Sequence, residues 1–125
     1  MSRDHEFELV ASFRHALSGL AEVARTERNF RIHLVATIIA VGLGVWLTLT
    51  KTEWLLLTLA IVSVLILEVL NAVVERLVDL VKPRLHPILH DVKDMMAATV
   101  LIAAVGALVM GYFIFLPHLV TRFGG

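Results

Sequence analysis

Long apolar runs separated by short charged segments dominate this chain. The first run covers Ile32 to Thr50, nineteen residues broken only by His33 near its start, and another covers Met95 to Pro117 without a charge. A helix needs about 20 apolar residues to cross a bilayer, so both predict spanning helices. The middle run is uncharged from Trp54 to Leu67 and then continues as helix-like sequence to about Val81, carrying Glu68, Asn71, Glu75 and Asp79. Polar groups at membrane depth are tolerated when they face other helices or a watery cavity, so this segment predicts a third span with a shielded end. Ahead of the runs, Val10, Phe13, Leu17, Leu20 and Ala24 recur at three- and four-residue spacing, with Arg14, Glu22 and Arg25 off that stripe. The pattern predicts an amphipathic helix over about 6–27, lying on the membrane surface. The expected fold class is all-α and integral to the membrane, one domain over residues 1–125, with spans at about 30–50, 53–81 and 93–117.

Composition sharpens this picture. The 125 residues are 58% hydrophobic and 18% charged, with eleven basic and eleven acidic side chains. So small a soluble domain would have too much surface for that much apolar side chain, and a nucleic-acid binder would show a basic excess. A disordered chain is excluded by the same apolar content. The absence of cysteine removes disulfides, cysteine metal sites and thiol nucleophiles. The first ten residues, MSRDHEFELV, have mixed charge and no apolar core, so no cleaved secretory signal is expected there.

Charge position gives an expected orientation. Arg3, Arg14, Arg25, Arg28 and Arg31 precede the first span, and Arg76, Lys82, Arg84 and Lys93 lie between the second and third. Only Lys51 and Arg122 fall on the other side. Positive residues stay in the cytoplasm, so the N-terminus and the second loop are expected inside and the C-terminus outside. Trp46 and Trp54 then suit an outer interfacial belt, Pro117 a helix end, and Gly42, Gly44, Gly106 and Gly111 close helix approach.

The candidate chemistry lies at the cytoplasmic end. At 100° per residue, Glu68, Asn71, Glu75 and Asp79 fall on one helical stripe about 80° wide. Glu27, Arg28 and Asn29 precede the first span on that side, and Asp91, Lys93 and Asp94 precede the third. Such carboxylates can hold Mg²⁺ against phosphate oxygens, and one can act as a general base while a lysine neutralises phosphate. Those are parts for phosphoryl transfer from a nucleotide, although neither GxxxxGK[ST] nor GxGxxG is present. The stripe could also bind helices together, Glu27 could pair with Arg28 or Arg31, and Lys93 with Asp94 could flank a span. His33 suits a packing or headgroup position. Pro87 between His86 and His90 argues against a two-histidine metal site.

Four segments, ARTERNFR (24–31), EVLNAVVERLVDL (68–80), the HP at 86–87 and KDMMAATV (93–100), resemble the prokaryotic diacylglycerol kinase family, which includes the undecaprenol kinases. The likeness runs from about Ser12 to Pro117. It implies a homotrimer in the cell membrane, with active sites shared between subunits at the cytoplasmic boundary, that moves the γ-phosphate of MgATP to a lipid hydroxyl. By position, Glu68 would be the general base, Glu27 and Glu75 would hold Mg²⁺, and Asn71 would stand beside them. Lys93 would meet the β- and γ-phosphates of ATP, Asp94 and Asp79 would order the nucleotide end, and His86 would add a further nucleotide contact. Ala72, Met96 and His90 depart from the family pattern. ARTERNF, the HP pair and IFLP (114–117) resemble the undecaprenol kinase branch, so undecaprenol is the implied substrate and diacylglycerol the alternative. The reading from another class is a small oligomeric transporter or ion conductor that uses the acidic stripe as its path.

Overall fold

The computed structural model describes residues 2–81 and 87–124 and consists of four helices: α1 (Ser2–Thr26), α2 (Arg28–Leu47), α3 (Lys51–Val81) and α4 (Pro87–Phe123). The last three are long and apolar enough to cross a membrane. At 1.5 Å per residue, the 20 residues of α2 match a hydrocarbon core of about 30 Å, whereas the 31 of α3 and 37 of α4 overrun it. Glu75 and Asp79 lie in the last two turns of α3, and Lys93 in the second turn of α4.

Glu27 alone separates α1 from α2. It takes an extended backbone, φ −104° and ψ 110°, as N-cap of α2 without spending its carboxylate on the cap. Its own N–H still closes α1 on the Val23 carbonyl at 2.8 Å. The Arg31 guanidinium reaches back to donate to the carbonyls of Ala24 at 3.0 Å and Arg25 at 2.8 Å, satisfying the free end of α1 with a cation. Arg76 of α3 donates to Thr26 Oγ1 at 2.7 Å and lies 3.9 Å from Glu22, tying the same corner to α3. Beneath the tie, Val23, Phe30 and Ala72 form a buried cluster. Ala72, only 1% exposed, leaves no room for a larger side chain there.

The opposite end is built around the α2–α3 turn. Thr48 enters the left-handed region at φ 58°, and the Leu49 N–H then bonds the Gly44 carbonyl at 3.2 Å. Thr50 and Glu53 cap α3 reciprocally: the Thr50 N–H donates to Glu53 at 3.0 Å and the Glu53 N–H donates to Thr50 Oγ1 at 3.2 Å. The Trp54 ring lies so close to Gly44 that a Cβ there would meet it at 2.8 Å. Gly44 therefore does admit a close approach. Gly42 and Gly106 have nothing of this chain within 4 Å of such a Cβ, and Gly111 meets only Phe115 of its own helix, at 3.9 Å.

Pro117 does not end its helix. α4 continues to Phe123, with Thr121 Oγ1 donating to the Pro117 carbonyl at 2.8 Å and His118 held 2.7 Å from Glu53 of α3. Proline removes one N–H, and the anchored turn beyond it keeps the remaining ladder. Pro87 likewise starts α4 rather than breaking it, since the first helical position needs no intrahelical N–H bond.

Candidate active site

Glu68 is the only charged residue among those described that the fold buries, with 4% exposure. It sits mid-helix on α3, one turn before Ala72, so the packing of Phe30 on Ala72 brings the first turns of α2 alongside it. That contact delivers His33, whose Nε2 lies 3.0 Å from Glu68 Oε1. Glu27 and Glu75 both stand close enough to repel a charge on Glu68. Glu68 thus has carboxylates of the α1–α2 corner and of its own helix in its neighbourhood.

An apolar cleft of about 610 Å³ opens beside this part of α3. Leu20, Ala21 and Ala24 of α1, Phe30 and Leu34 of α2, and Leu65, Ile66, Val69 and Leu70 of α3 line it. Glu68 is not among the lining residues: Leu65, Ile66, Val69 and Leu70 occupy the neighbouring face of the same stretch of α3, so the cleft runs beside the helix face that carries the carboxylate. All of the cleft's lining residues are apolar, which suits a lipid chain.

The remaining predicted residues lie further along α3 and α4. Lys93 Nζ is 3.6 Å from Asp79 Oδ1, joining the projecting ends of α3 and α4. Asp94 is 3.2 Å from His90, one turn earlier on α4, and both are exposed. Asn71 and Glu75 are half-buried on α3. His86 lies outside the described residues. Among the described residues no three His, Asp or Glu side chains converge closely enough to hold a metal by themselves. The donors that do approach are hard carboxylate oxygens, a set that Mg²⁺ accepts when phosphate and water oxygens complete its shell.

His33 is the residue that sequence reasoning missed. Its partner lies on another helix, and no motif spacing links the two. The available signal was its place as the lone interruption of an otherwise apolar run, on a turn leading from Glu27.

The family model for prokaryotic diacylglycerol kinase matches residues 14–115, taking in Glu27, Glu68, Glu75 and Lys93. The chain belongs to the prokaryotic diacylglycerol kinase family. Relatives in this kinase family include the undecaprenol kinase of Bacillus subtilis, 40% identical over 94% of this chain and 98% of that protein. The diacylglycerol kinase of Synechocystis is 36% identical over 90% of this chain and 65% of its own length. That of Escherichia coli K12 is 29% identical over 88% and 90%. The protein is accordingly a membrane-embedded lipid kinase, and the reading as a transporter or ion conductor is set aside.

Proposed function

We propose that this kinase transfers the γ-phosphate of ATP to the hydroxyl of undecaprenol, forming undecaprenyl phosphate, with the reaction at the cytoplasmic face of the cell membrane. The observation that carries the reading is the buried Glu68 carboxylate, paired with His33, on the stretch of α3 whose neighbouring face lines an apolar cleft. The hydroxyl-bearing end of an isoprenoid chain would approach along this part of α3, with the rest of the chain left in the bilayer. The 40% identity to the Bacillus subtilis undecaprenol kinase favours this lipid over diacylglycerol.

Glu68 takes the hydroxyl proton as general base while the lipid oxygen attacks the γ-phosphorus and ADP departs with the bond it loses. Glu27 and Glu75, with Asn71 beside them, would hold Mg²⁺, which when bound offsets charge on the phosphate oxygens. Lys93 meets the β- and γ-phosphates as a compact ammonium, and Asp79 and Asp94 order that end of the site. His86 belongs with this nucleotide group by its sequence position. The site is shared between subunits of a homotrimer, which would also cover apolar faces that one chain leaves outward.

Purified protein in mixed micelles with MgATP is expected to phosphorylate undecaprenol faster than diacylglycerol. Faster turnover of diacylglycerol would reverse the substrate assignment, and phosphorylation of neither would overturn the reading. Glu68→Gln should lower kcat by about 10²- to 10⁴-fold, the usual contribution of a general base. Near-normal turnover in that variant would remove Glu68 from the role.

A further inference from the structure

A carboxylate able to rotate freely is a poor base for a hydroxyl arriving from one direction. Glu68 is not free, because His33 Nε2 lies 3.0 Å from its Oε1. An ionised carboxylate offers only lone pairs, so the nitrogen at this distance must carry the proton and donate. The helix that carries the ring is itself held against α3. Phe30, one turn earlier on α2, is 3% exposed and packs on Ala72, one turn after Glu68 on α3. Two contacts one turn apart, Phe30 on Ala72 and His33 on Glu68, lock the same pair of helix faces in register. His33 is half-buried, between the membrane-depth carboxylate and the outside of the bundle. The charged groups that act on Glu68 besides His33 are the carboxylates Glu27 and Glu75, which repel it and offer it no donor.

We propose that His33 is a positioning residue for the phosphoryl transfer: its Nε2–H holds Glu68 Oε1, so that the second carboxylate oxygen is presented to the lipid hydroxyl. The assignment rests on Glu68 being the base. Its chemistry adds no new step. The proton taken from the hydroxyl goes to Glu68, and the imidazole keeps its own proton while steering the acceptor. An ion pair serving only to neutralise a buried carboxylate would predict loss of folded protein on its removal. A positioning contact predicts loss of kcat in protein that remains folded.

Five variants in the full-length protein, assayed in mixed micelles with MgATP, separate these outcomes. His33→Leu removes the donor and should lower kcat by roughly 10- to 100-fold, as expected for an orienting hydrogen bond to a charged group. KM for ATP should stay within about twofold, because the lost interaction does not bind nucleotide. His33→Gln keeps an N–H at a similar reach and should restore most of the turnover, whereas His33→Asn is too short and should not. Glu68→Gln combined with His33→Leu should be no slower than Glu68→Gln alone, because His33 acts through Glu68. Wild-type kcat in His33→Leu, equal loss in the Gln and Asn variants, or a double variant slowed by the product of the single losses would each overturn the proposal. If His33→Leu does not fold, the Gln and Asn pair carries the same comparison. Full turnover in Glu68→Gln would instead sink the reading of Glu68 as base, while a slow Glu68→Gln beside a fast His33→Leu rejects His33 alone.

Discussion

Glu68 and Lys93 show how differently one fold treats two charged side chains. Glu68 is enclosed, with a histidine on one oxygen and like charges nearby. Lys93 remains a third exposed, and its partner Asp79 more than half. Exposed pairs of this kind contribute about 0–1 kcal/mol, so Asp79 does not hold α3 to α4 by charge alone. Asp79→Asn is therefore expected to leave the unfolding midpoint in detergent nearly unchanged while raising KM for ATP, since the lysine loses the neighbour that places it. A large drop in the midpoint with unaltered KM would make Asp79 a structural residue instead. The Asp79–Lys93 and Glu68–His33 contacts were not equally legible in the sequence. Asp79 and Lys93 sit at the facing ends of two consecutive helices and both belong to recognisable motifs. His33 carries no motif, and its contact exists only because Phe30 and Ala72 set the spacing of α2 and α3.

At the level of elements, hydropathy located all three spanning helices, because the bilayer sets one length requirement that sequence meets or fails. Helix ends were harder to read. Pro117 signals a stop, yet α4 runs on to Phe123 because Glu53 of another helix holds His118 just beyond it. Glu53 does two jobs, closing the α3 cap with Thr50 and anchoring α4. Glu53→Ala should lower stability by about 1–3 kcal/mol, combining a lost cap with a lost charge-assisted hydrogen bond. Its effect on turnover at a temperature where the protein stays folded should be small, since Glu53 lies about 22 Å along α3 from Glu68 at 1.5 Å per residue. Denaturant titration alongside the kinase assay distinguishes the two. An unchanged midpoint with lost turnover would contradict this division between the ends of α3.

For the molecule as a whole, the expected orientation can be read directly because the chain has no cysteine. A cysteine placed at Ser18 should resist a membrane-impermeant maleimide in intact cells, and one placed at Gly124 should react. Labelling in the reverse order would invert the topology and move Glu68 to the outer face. The basic residues carry this expectation without any help from packing, and the labelling experiment is its test. What sequence could not supply is how little of the chain its own folding covers. Phe7, Phe13, Ile38, Leu59, Ile102, Leu108 and Phe113 all remain more than half exposed.

That outward apolar surface accepts lipid tails as readily as protein, so the helices have no need of neighbours to persist. The active site proposed to be shared between chains is different. For it, the bilayer is a two-dimensional solvent, and the area of membrane available to each copy takes the place of concentration. Added lipid would then thin the population of complete sites while every helix stayed intact, and turnover per chain would fall with no spectroscopic sign of unfolding.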